Sequence, residues 1–336
     1  MQSGSRRDGQ RSEDGRFTPD LMYSAASLYY LQDATQAEIA DHLGMSRATV
    51  SRLLSEARRV GIVRIDVISP VVGNGADLGG RIAGALGLKS VRVAPYMART
   101  SPAVSLAPAL SSALAEAHLR PGDVLLISSG SAVYEAAQAP LPNLPGVVVC
   151  PTVGGMDEVE PWYQTNELSR QIAAKVGGTP VFLYAPALPG PELHECLVED
   201  HATRRVFELW ENAQCILMGV GAPPATRSTM PSFVPANQVR AAAGDVCTRW
   251  FDDDGELVPF DGIERQVTIP LELLRKVPNS IAVAHGVQKV RSILVAARAG
   301  YFKELITDIP TASALLAELE SRGLVEPQTE IPPAGC

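Results

Sequence analysis

The chain has little of what marks a secreted, membrane-bound or metal-centred protein. Its five cysteines, Cys150, Cys196, Cys215, Cys247 and Cys336, are odd in number, widely spaced and form no C-x-x-C pair. That disfavours a disulfide framework and a zinc module and suggests reduced, mostly buried thiols. No stretch approaches the roughly 18–20 uninterrupted apolar residues of a membrane span. The N-terminal MQSGSRRDGQRSEDGRF has no apolar signal core, so a cytoplasmic protein with no membrane partner is expected. Positive charge is also scarce, with 29 Lys and Arg against 37 Asp and Glu and a net charge of −8. A uniformly acidic surface repels phosphate, which argues against general affinity for nucleic acid.

Catalytic and cofactor signatures are missing too. Gly219-Val220-Gly221 has Pro224 where a dinucleotide fingerprint needs its third Gly, and HECLV at 194–198 lacks the second His of a zinc protease helix. There is no P-loop, the five His are scattered, and no Ser-His-acid arrangement is visible. These absences count against catalysis, and neither a cofactor nor a metal is expected.

What is present is size and order. With 336 residues and 46% hydrophobic content, a small domain plus a larger one is the natural expectation. Residues 1–16 read as a disordered leader, 17–69 as a helical domain, 70–76 as a linker rich in turn formers, 77–325 as a large domain and 326–336 as a tail. Charge is not evenly spread: from Gly44 to Arg64 five Arg face one acid, Glu56. That stretch carries +4 and the remainder of the chain −12.

The basic stretch belongs to TQAEIADHLGMSRATVSRLLSEARRVGIVRI, Thr35 to Ile65. Thr35 with Glu38 fits a capping box, so a short helix starts at about Gln36 with Ile39 and Leu43 inward. Gly44 ends it, and Ser46 can cap a second helix with Val50, Leu53, Leu54, Ala57 and Val60 on its apolar face. The opposite side carries Ala48, Ser51, Arg52, Ser55 and Arg59, with Arg47 and Thr49 at the leading end. Small residues and Arg at the front of a helix suit the major groove, where Arg bonds two guanine acceptors. Arg58, Arg59 and Arg64 fit phosphate contacts better. An amphipathic helix pair with a solvated basic face is the bland alternative, but the order of cap, turn, cap and Arg cluster favours a helix-turn-helix. Candidate DNA-binding residues are Thr35, Gln36, Ser46, Arg47, Ala48, Thr49, Ser51, Arg52, Arg58 and Arg59. GIVRIDVIS then reads as a strand or wing.

Beyond the linker, β-branched runs alternate with helical patterns. VRVAP (91–95), DVLLIS (123–128), GVVVCPTVGG (146–155), PVFLYAP (180–186), QCILMGVG (214–221) and SIAVAHG (280–286) read as strands. Apolar strands separated by helices imply an α/β fold, a mainly parallel sheet covered on both faces, with ligands at the carboxyl ends of its strands.

Together these pieces carry a resemblance. LYYLQDATQAEIADHLGMSRATVSRLLSEARRVGIVRI is similar to the N-terminal domain of the SorC family of sugar-responsive transcriptional regulators. PTVGG, GVG, GDVCTRWFDDDG, AHGVQK and AGYFKELITDIPTASALL continue the match in order. The resemblance implies a small helix-turn-helix domain followed by a Rossmann-like effector-binding domain similar in fold to sugar-phosphate isomerases. It also implies operator DNA and a small phosphorylated sugar or related metabolite as partners, and a homo-oligomer, dimer or tetramer.

Three loops are effector candidates. Ser128, Ser129, Gly130 and Ser131 form a Gly-Ser turn that can present N–H groups and hydroxyls to an anion, or serve as a plain strand-to-helix turn. The family usually has a Gly-Trp-Gly-Arg-Thr-like sequence here; Ser129 and Ala132 depart from it, which puts the phosphate cradle in question. Lys289 is expected in the first turn of a helix, as a solvated side chain on spacing alone and as a pocket residue by the resemblance. His285 stands where the family often has Gly and reads as a packed residue or a contact. Asp245 is a candidate acceptor for sugar hydroxyls, while Asp252, Asp253 and Asp254 read as a solvated turn. Gln164 and Asn166 can line the same cleft, or Asn166 can cap a helix. An enzyme in which Lys289 or Asp245 turns over a sugar phosphate is the competing reading, and it requires burial to lower the Lys289 pKa.

Overall fold

The computed structural model describes residues 17–32, 34–63, 72–94, 102–156, 164–227 and 230–326. The chain divides into two compact units between Val67 and Ile68.

The first unit is three helices, α1 Pro19–Leu31, α2 Gln36–Leu43 and α3 Arg47–Arg59. The expected capping box is formed: the Thr35 hydroxyl accepts from the Glu38 N–H at 3.3 Å, and the Glu38 carboxylate accepts from the Thr35 N–H at 2.8 Å. Gly44 stops α2 at φ 63°, its N–H turned back to the Ala40 and Asp41 carbonyls. Ser46 caps α3, accepting from the Thr49 N–H. Val50, Leu53, Leu54 and Ala57 of α3 pack on Met22, Ala25 and Ala26 of α1 and on Ile39 and Ala40 of α2. Val60, expected on that apolar face, is instead the C-cap and 46% exposed. The helix ends at Arg59, so Val60 leaves the helical repeat before it can face inward. Arg64 and the expected strand or wing from residue 64 onward lie outside the described residues.

Gly44→Ala should cost the unit about 1–2 kcal/mol, because a Cβ in left-handed backbone crowds the following carbonyl. Nothing stands within 4 Å of that Cβ position, so backbone strain would be the sole cause, seen as a lower midpoint for loss of helical signal on heating.

The second unit begins with α4 Val72–Leu86. Residues 72–76, expected as linker, are therefore helical; Gly73, Asn74 and Gly75 are tolerated in the first turns, and a Cβ at Gly79 would come 2.3 Å from the Val91 carbonyl oxygen. There follow β1 Ser90–Ala94, α5 Pro102–Glu116, β2 Val124–Ile127, α6 Ser131–Ala137, β3 Val148–Pro151, α7 Thr165–Val176 and β4 Thr179–Pro180. The chain continues through α8 Pro191–Glu199, α9 His201–Glu211, β5 Cys215–Gly219, β6 Gly244–Val246, β7 Arg249–Phe251 and α10 Leu271–Lys276. It closes with β8 Asn279–Val283, α11 Val290–Arg298, β9 Glu304–Asp308 and α12 Ile309–Ser321.

Seven strands form one sheet in the order β1-β9-β8-β5-β2-β3-β4, every pair parallel. Alternate strand residues enter separate cores: Val124, Leu126, Ile216 and Met218 on one face, Leu125, Ile127, Cys215 and Leu217 on the other. That is why these strands read as unbroken apolar runs. From β2 the chain proceeds outward through β3 and β4, then returns to β5 on the other side of β2. The direction reverses between β2 and β5, and a crevice opens there beyond the carboxyl ends of the strands.

Two expected strands are shorter than read. Of PVFLYAP only Pro180 is in the strand, paired after Thr179, because the Asn166 side chain takes both backbone groups of Leu183. In 146–155 the strand stops at Pro151. An unexpected strand, β9, lies between β1 and β8. Its Glu304 is 2% exposed and is held by Lys89 at 2.7 Å and Ser90 at 2.9 Å.

Candidate functional site

On the first unit the candidate face is the outer side of α3. Arg47, Ala48, Ser51, Arg52, Arg58 and Arg59 are exposed there, and Thr49 is half-buried. Arg47 and Arg52 make no side-chain hydrogen bond among the described residues, so neither has a partner to give up on meeting a phosphate or a base. Arg59 is tied to Glu56, and Arg58 lies 3.4 Å from the Ser55 hydroxyl. The hydroxyls of Thr35, Ser46 and Thr49 are engaged in capping, with Ser46 Oγ and Thr49 Oγ1 2.8 Å apart. Gln36 opens α2, half-buried, and lines a hollow with Thr35 and Arg47.

On the second unit a cavity of about 140 Å3 occupies the crevice between β2 and β5. Ser129, Gly130, Ser131 and Ala132 line it after β2, Gly219, Val220 and Gly221 after β5, and Lys289 after β8. Asp245, Cys247 and Thr248 enter from the β6–β7 hairpin. Of the expected effector residues the structure thus brings together Ser129, Gly130, Ser131, Asp245 and Lys289.

Two do not line this cavity. The Ser128 side chain points away, its hydroxyl accepting from the Gly219 N–H at 3.1 Å and so tying the two crevice loops together. Gln164 clamps the backbone of Met156, accepting from its N–H and donating to its carbonyl. Its amide is spent holding a residue that lines the cavity. Asn166 neither caps α7, whose N-cap is Gln164, nor lines the cavity. Lys289 sits in a 3-10 turn, Val287–Lys289, and serves as the N-cap of α11.

Asp245 is not free to greet a sugar. Arg227 donates to its carboxylate at 2.6 Å, and the same guanidinium lies 5.1 Å from the centre of the Trp250 ring. Arg227 was not among the expected residues, because the Pro-rich segment GAPPATRS carries no periodicity to flag it. Burial pulls the Lys289 ammonium below the ordinary lysine value; Asp245 opposes this and Arg227 adds to it. The cavity therefore holds two cations against one carboxylate. His285 is half-buried and does not line it, and burial followed by the Lys289 charge lowers its pKa.

The hairpin is rigidly fixed. Cys247 and Thr248 form its two-residue turn at φ 50° and 61°, both left-handed, as a tight hairpin of matching twist requires. Neither is a residue that favours this region, so the surroundings must impose it. Gln266 donates to the Thr248 carbonyl and hydroxyl, the Thr268 hydroxyl lies 2.8 Å from the Cys247 carbonyl, and Arg249 donates to the Thr268 carbonyl at 3.0 Å. Burial brings Arg249 down to about 10. The Gly221 N–H bonds the Asp245 carbonyl, and a Cβ on Gly221 would fall 1.8 Å from an Asp245 carboxylate oxygen. Close approach of the hairpin explains the second glycine of Gly-Val-Gly, Gly221. Asp252 accepts from the N–H groups of Asp254 and Glu256, and Asp253 pairs with Arg291, which makes the acidic run a latched turn. Among the described residues no group of His, Cys, Asp and Glu is placed to hold a metal ion, and no helix is long and apolar enough to cross a membrane.

Residues 72–317 match the family described as "Putative sugar-binding domain", and residues 27–60 match sigma-70 region 4. The chain is 31% identical to the sorbitol operon regulator of Klebsiella pneumoniae over 311 residues, 88% of this chain and 97% of that protein. It is 30% identical to the deoxyribonucleoside regulator of Bacillus subtilis (strain 168) over 309 residues, 89% and 98% of the two chains. The crystal structure of the full-length Klebsiella regulator superimposes with a TM-score of 0.65 at 30% identity, covering 88% of this chain and 98% of that one.

Proposed function

The chain belongs to the SorC family of sugar-binding transcriptional regulators, and we propose that a small phosphorylated sugar or sugar-like metabolite in the β2/β5 cavity controls its hold on operator DNA. The observation that carries this reading is the cavity's charge: Arg227 and Lys289 converge with a single carboxylate, Asp245, between them. Half-buried cations in excess favour an anion, and Ser129, Gly130 and Ser131 add backbone and hydroxyl groups at the start of α6. Asp245 then has a choice between Arg227 and the hydroxyls of the incoming ligand. A volume of about 140 Å3 suits a metabolite better than a drug-sized molecule.

The basic face of α3 reads the DNA: Arg47 and Arg52 with Ala48 and Ser51 at base edges, Arg58 and Arg59 at phosphates. A two-fold dimer is the minimum assembly, since one recognition helix supplies too little specificity. For the ligand to act, it must bind the DNA-competent and incompetent arrangements with different affinity. Footprinting on the DNA upstream of the chain's own gene, with and without a panel of sugar phosphates, tests this. A protected site that responds to a panel member is expected; no protection at moderate salt would sink the reading.

Ligand affinity should depend on pH in the alkaline range. An anion favours the charged form of Lys289, so binding takes up a proton wherever the free site is partly deprotonated. Affinity is then full below the lowered Lys289 pKa and falls as pH rises from there towards the ordinary lysine value of 10.5. Calorimetric titration over that range checks it.

The lowered Lys289 pKa also favours a second reading, turnover of the bound sugar phosphate, which needs a partly neutral amine. Isomerisation or deamination of the same panel, lost in Lys289→Ala, would establish it.

A further inference from the structure

One wall of the cavity carries a donor that no protein group takes up. Thr248 lines the cavity and is 5% exposed, and its hydroxyl belongs to a chain of hydrogen bonds whose direction is fixed from the far end. Arg249 can only donate, and it does so to Gln266 Oε1 at 3.1 Å. That leaves the Gln266 amide nitrogen facing the hairpin turn, where it donates to the Thr248 carbonyl at 3.1 Å and to the Thr248 hydroxyl oxygen at 3.0 Å. The hydroxyl is therefore an acceptor towards Gln266, and its own proton points elsewhere. No hydrogen bond takes up that proton among the described residues. A buried donor left without an acceptor is costly. So is the backbone that presents it, because a β-branched residue at φ 61° is an outlier where a two-residue hairpin turn favours Asn-Gly. Strain of this kind on a cavity wall points to function. Behind the chain stands a cation: apart from Gln266 Oε1, the Arg249 guanidinium donates to the backbone carbonyls of Gln266, Thr268 and Ile269 and pairs with no carboxylate among the described residues.

We infer that Thr248 donates this proton to an anionic oxygen of the ligand, with Gln266 and Arg249 as positioning residues that hold the hydroxyl in that sense. The inference rests on the reading that the cavity takes an anion, and it adds a third donor to Arg227 and Lys289. Every bond of the chain runs from the cation towards the cavity, so the Arg249 charge polarises the amide and the amide polarises the hydroxyl. That makes the proton a stronger donor to a negatively charged oxygen than to a neutral one. The hairpin then sorts the two ends of a ligand. Asp245 on its first strand can accept from hydroxyls, and Thr248 at its turn can give to an oxygen that carries no hydrogen.

Isothermal titration of the full-length chain with inorganic phosphate tests the inference. Thr248→Val keeps the shape but removes the proton and should weaken binding about 10- to 100-fold, and Thr248→Ser should regain most of the loss. Thr248→Gly guards against misfolding, because glycine adopts φ 61° freely. Its thermal midpoint should hold or rise while its affinity falls as in Thr248→Val, whereas a merely structural Thr248 would lose both or neither. Gln266→Glu replaces the donor by an acceptor, so the Thr248 proton turns to the new carboxylate and affinity drops about as far. In a Thr248→Gly background the same change should weaken binding by no more than about twofold, since no hydroxyl remains to redirect. Phosphate binding at parental strength in Thr248→Val and Thr248→Gly overturns the inference, and an equal loss from Gln266→Glu in both backgrounds overturns the positioning role of Gln266. Lys289→Met separates this from the cavity reading. Loss there without loss in Thr248→Val removes Thr248 alone, while loss in neither places the anion outside the cavity and overturns both.

Discussion

Leu53→Ala is expected to abolish operator binding while leaving the α/β unit folded and able to take its ligand. The three-helix unit has nine buried apolar residues among those described, and four are alanines: Ala25, Ala26, Ala40 and Ala57. Its stability therefore rests on Met22, Ile39, Val50, Leu53 and Leu54. Leu53 is fully buried, and truncating such a leucine costs about 2–5 kcal/mol through lost transfer energy and a residual cavity. A core this small rarely provides more than about 3–5 kcal/mol in total, so the substitution removes most or all of it. Ile39 and Leu54 cannot close the gap, being held by α2 and by the helical repeat of α3. Footprinting should lose the protected site, and the far-ultraviolet signal should fall by the share of the small helices. The heat-absorption peak of the larger unit and its ligand-induced shift should stay put, as expected for a chain that divides at Val67. Arg52→Ala separates folding from contact, because Arg52 is exposed and bonds nothing among the described residues: helicity should survive while affinity drops. Operator binding by Leu53→Ala within a few-fold of the parent would show that α3 is held by something other than this core.

The helix-turn-helix was legible because its determinants are local. Thr35, Glu38, Gly44 and Ser46 act within a single turn of their own position, and the apolar period of α3 declares its buried face. Val60 was misread because the period continues one residue past the point where the helix ends. The sheet was legible where both faces are apolar, as in VLLI and CILMG, and missed where a strand ends in charge. In β9, Glu304 and Asp308 mask the pattern: Glu304 is compensated by Lys89 and Ser90 from far away in the chain, and Asp308 spends its carboxylate as the N-cap of α12. The cavity was half legible. Asp245 and Lys289 could be flagged by their loops, but the partner that decides their chemistry, Arg227, sits in a Pro-rich loop and reaches Asp245 only through the folded hairpin. Ser128 and Gln164 show the converse: both lie beside the cavity in sequence, and both turn their polar groups to backbone instead.

The sharpest consequence of the Arg227–Asp245 pair is that its two members should respond oppositely to substitution. Arg227→Ala removes one of two cations and leaves the Asp245 carboxylate, only 8% exposed, unpaired and facing any incoming anion. Losing a charge-assisted hydrogen bond and unmasking a like charge should together weaken a phosphorylated ligand about 100-fold or more. Lys289→Met should act in the same direction and with similar size, by deleting the second cation while keeping its apolar stem. Asp245→Asn does the reverse for charge: it keeps a hydrogen-bonding side chain of the same shape, releases Arg227 and makes the cavity more positive. A phosphorylated ligand should then bind as well as before or up to about tenfold tighter, the lost carboxylate contact to sugar hydroxyls being worth only about 0.5–1.5 kcal/mol. The double substitution Arg227→Ala with Asp245→Asn should recover part of the affinity lost in Arg227→Ala alone, because the repelling carboxylate is gone. Isothermal titration of the four variants with one sugar phosphate measures all of this, and a neutral sugar supplies the contrast. An uncharged ligand has no use for the cations and relies on Asp245 to accept from its hydroxyls, so for it Asp245→Asn should be the damaging change. If Arg227→Ala and Asp245→Asn weaken the phosphorylated ligand alike, the pair is a structural brace and the anion is held elsewhere.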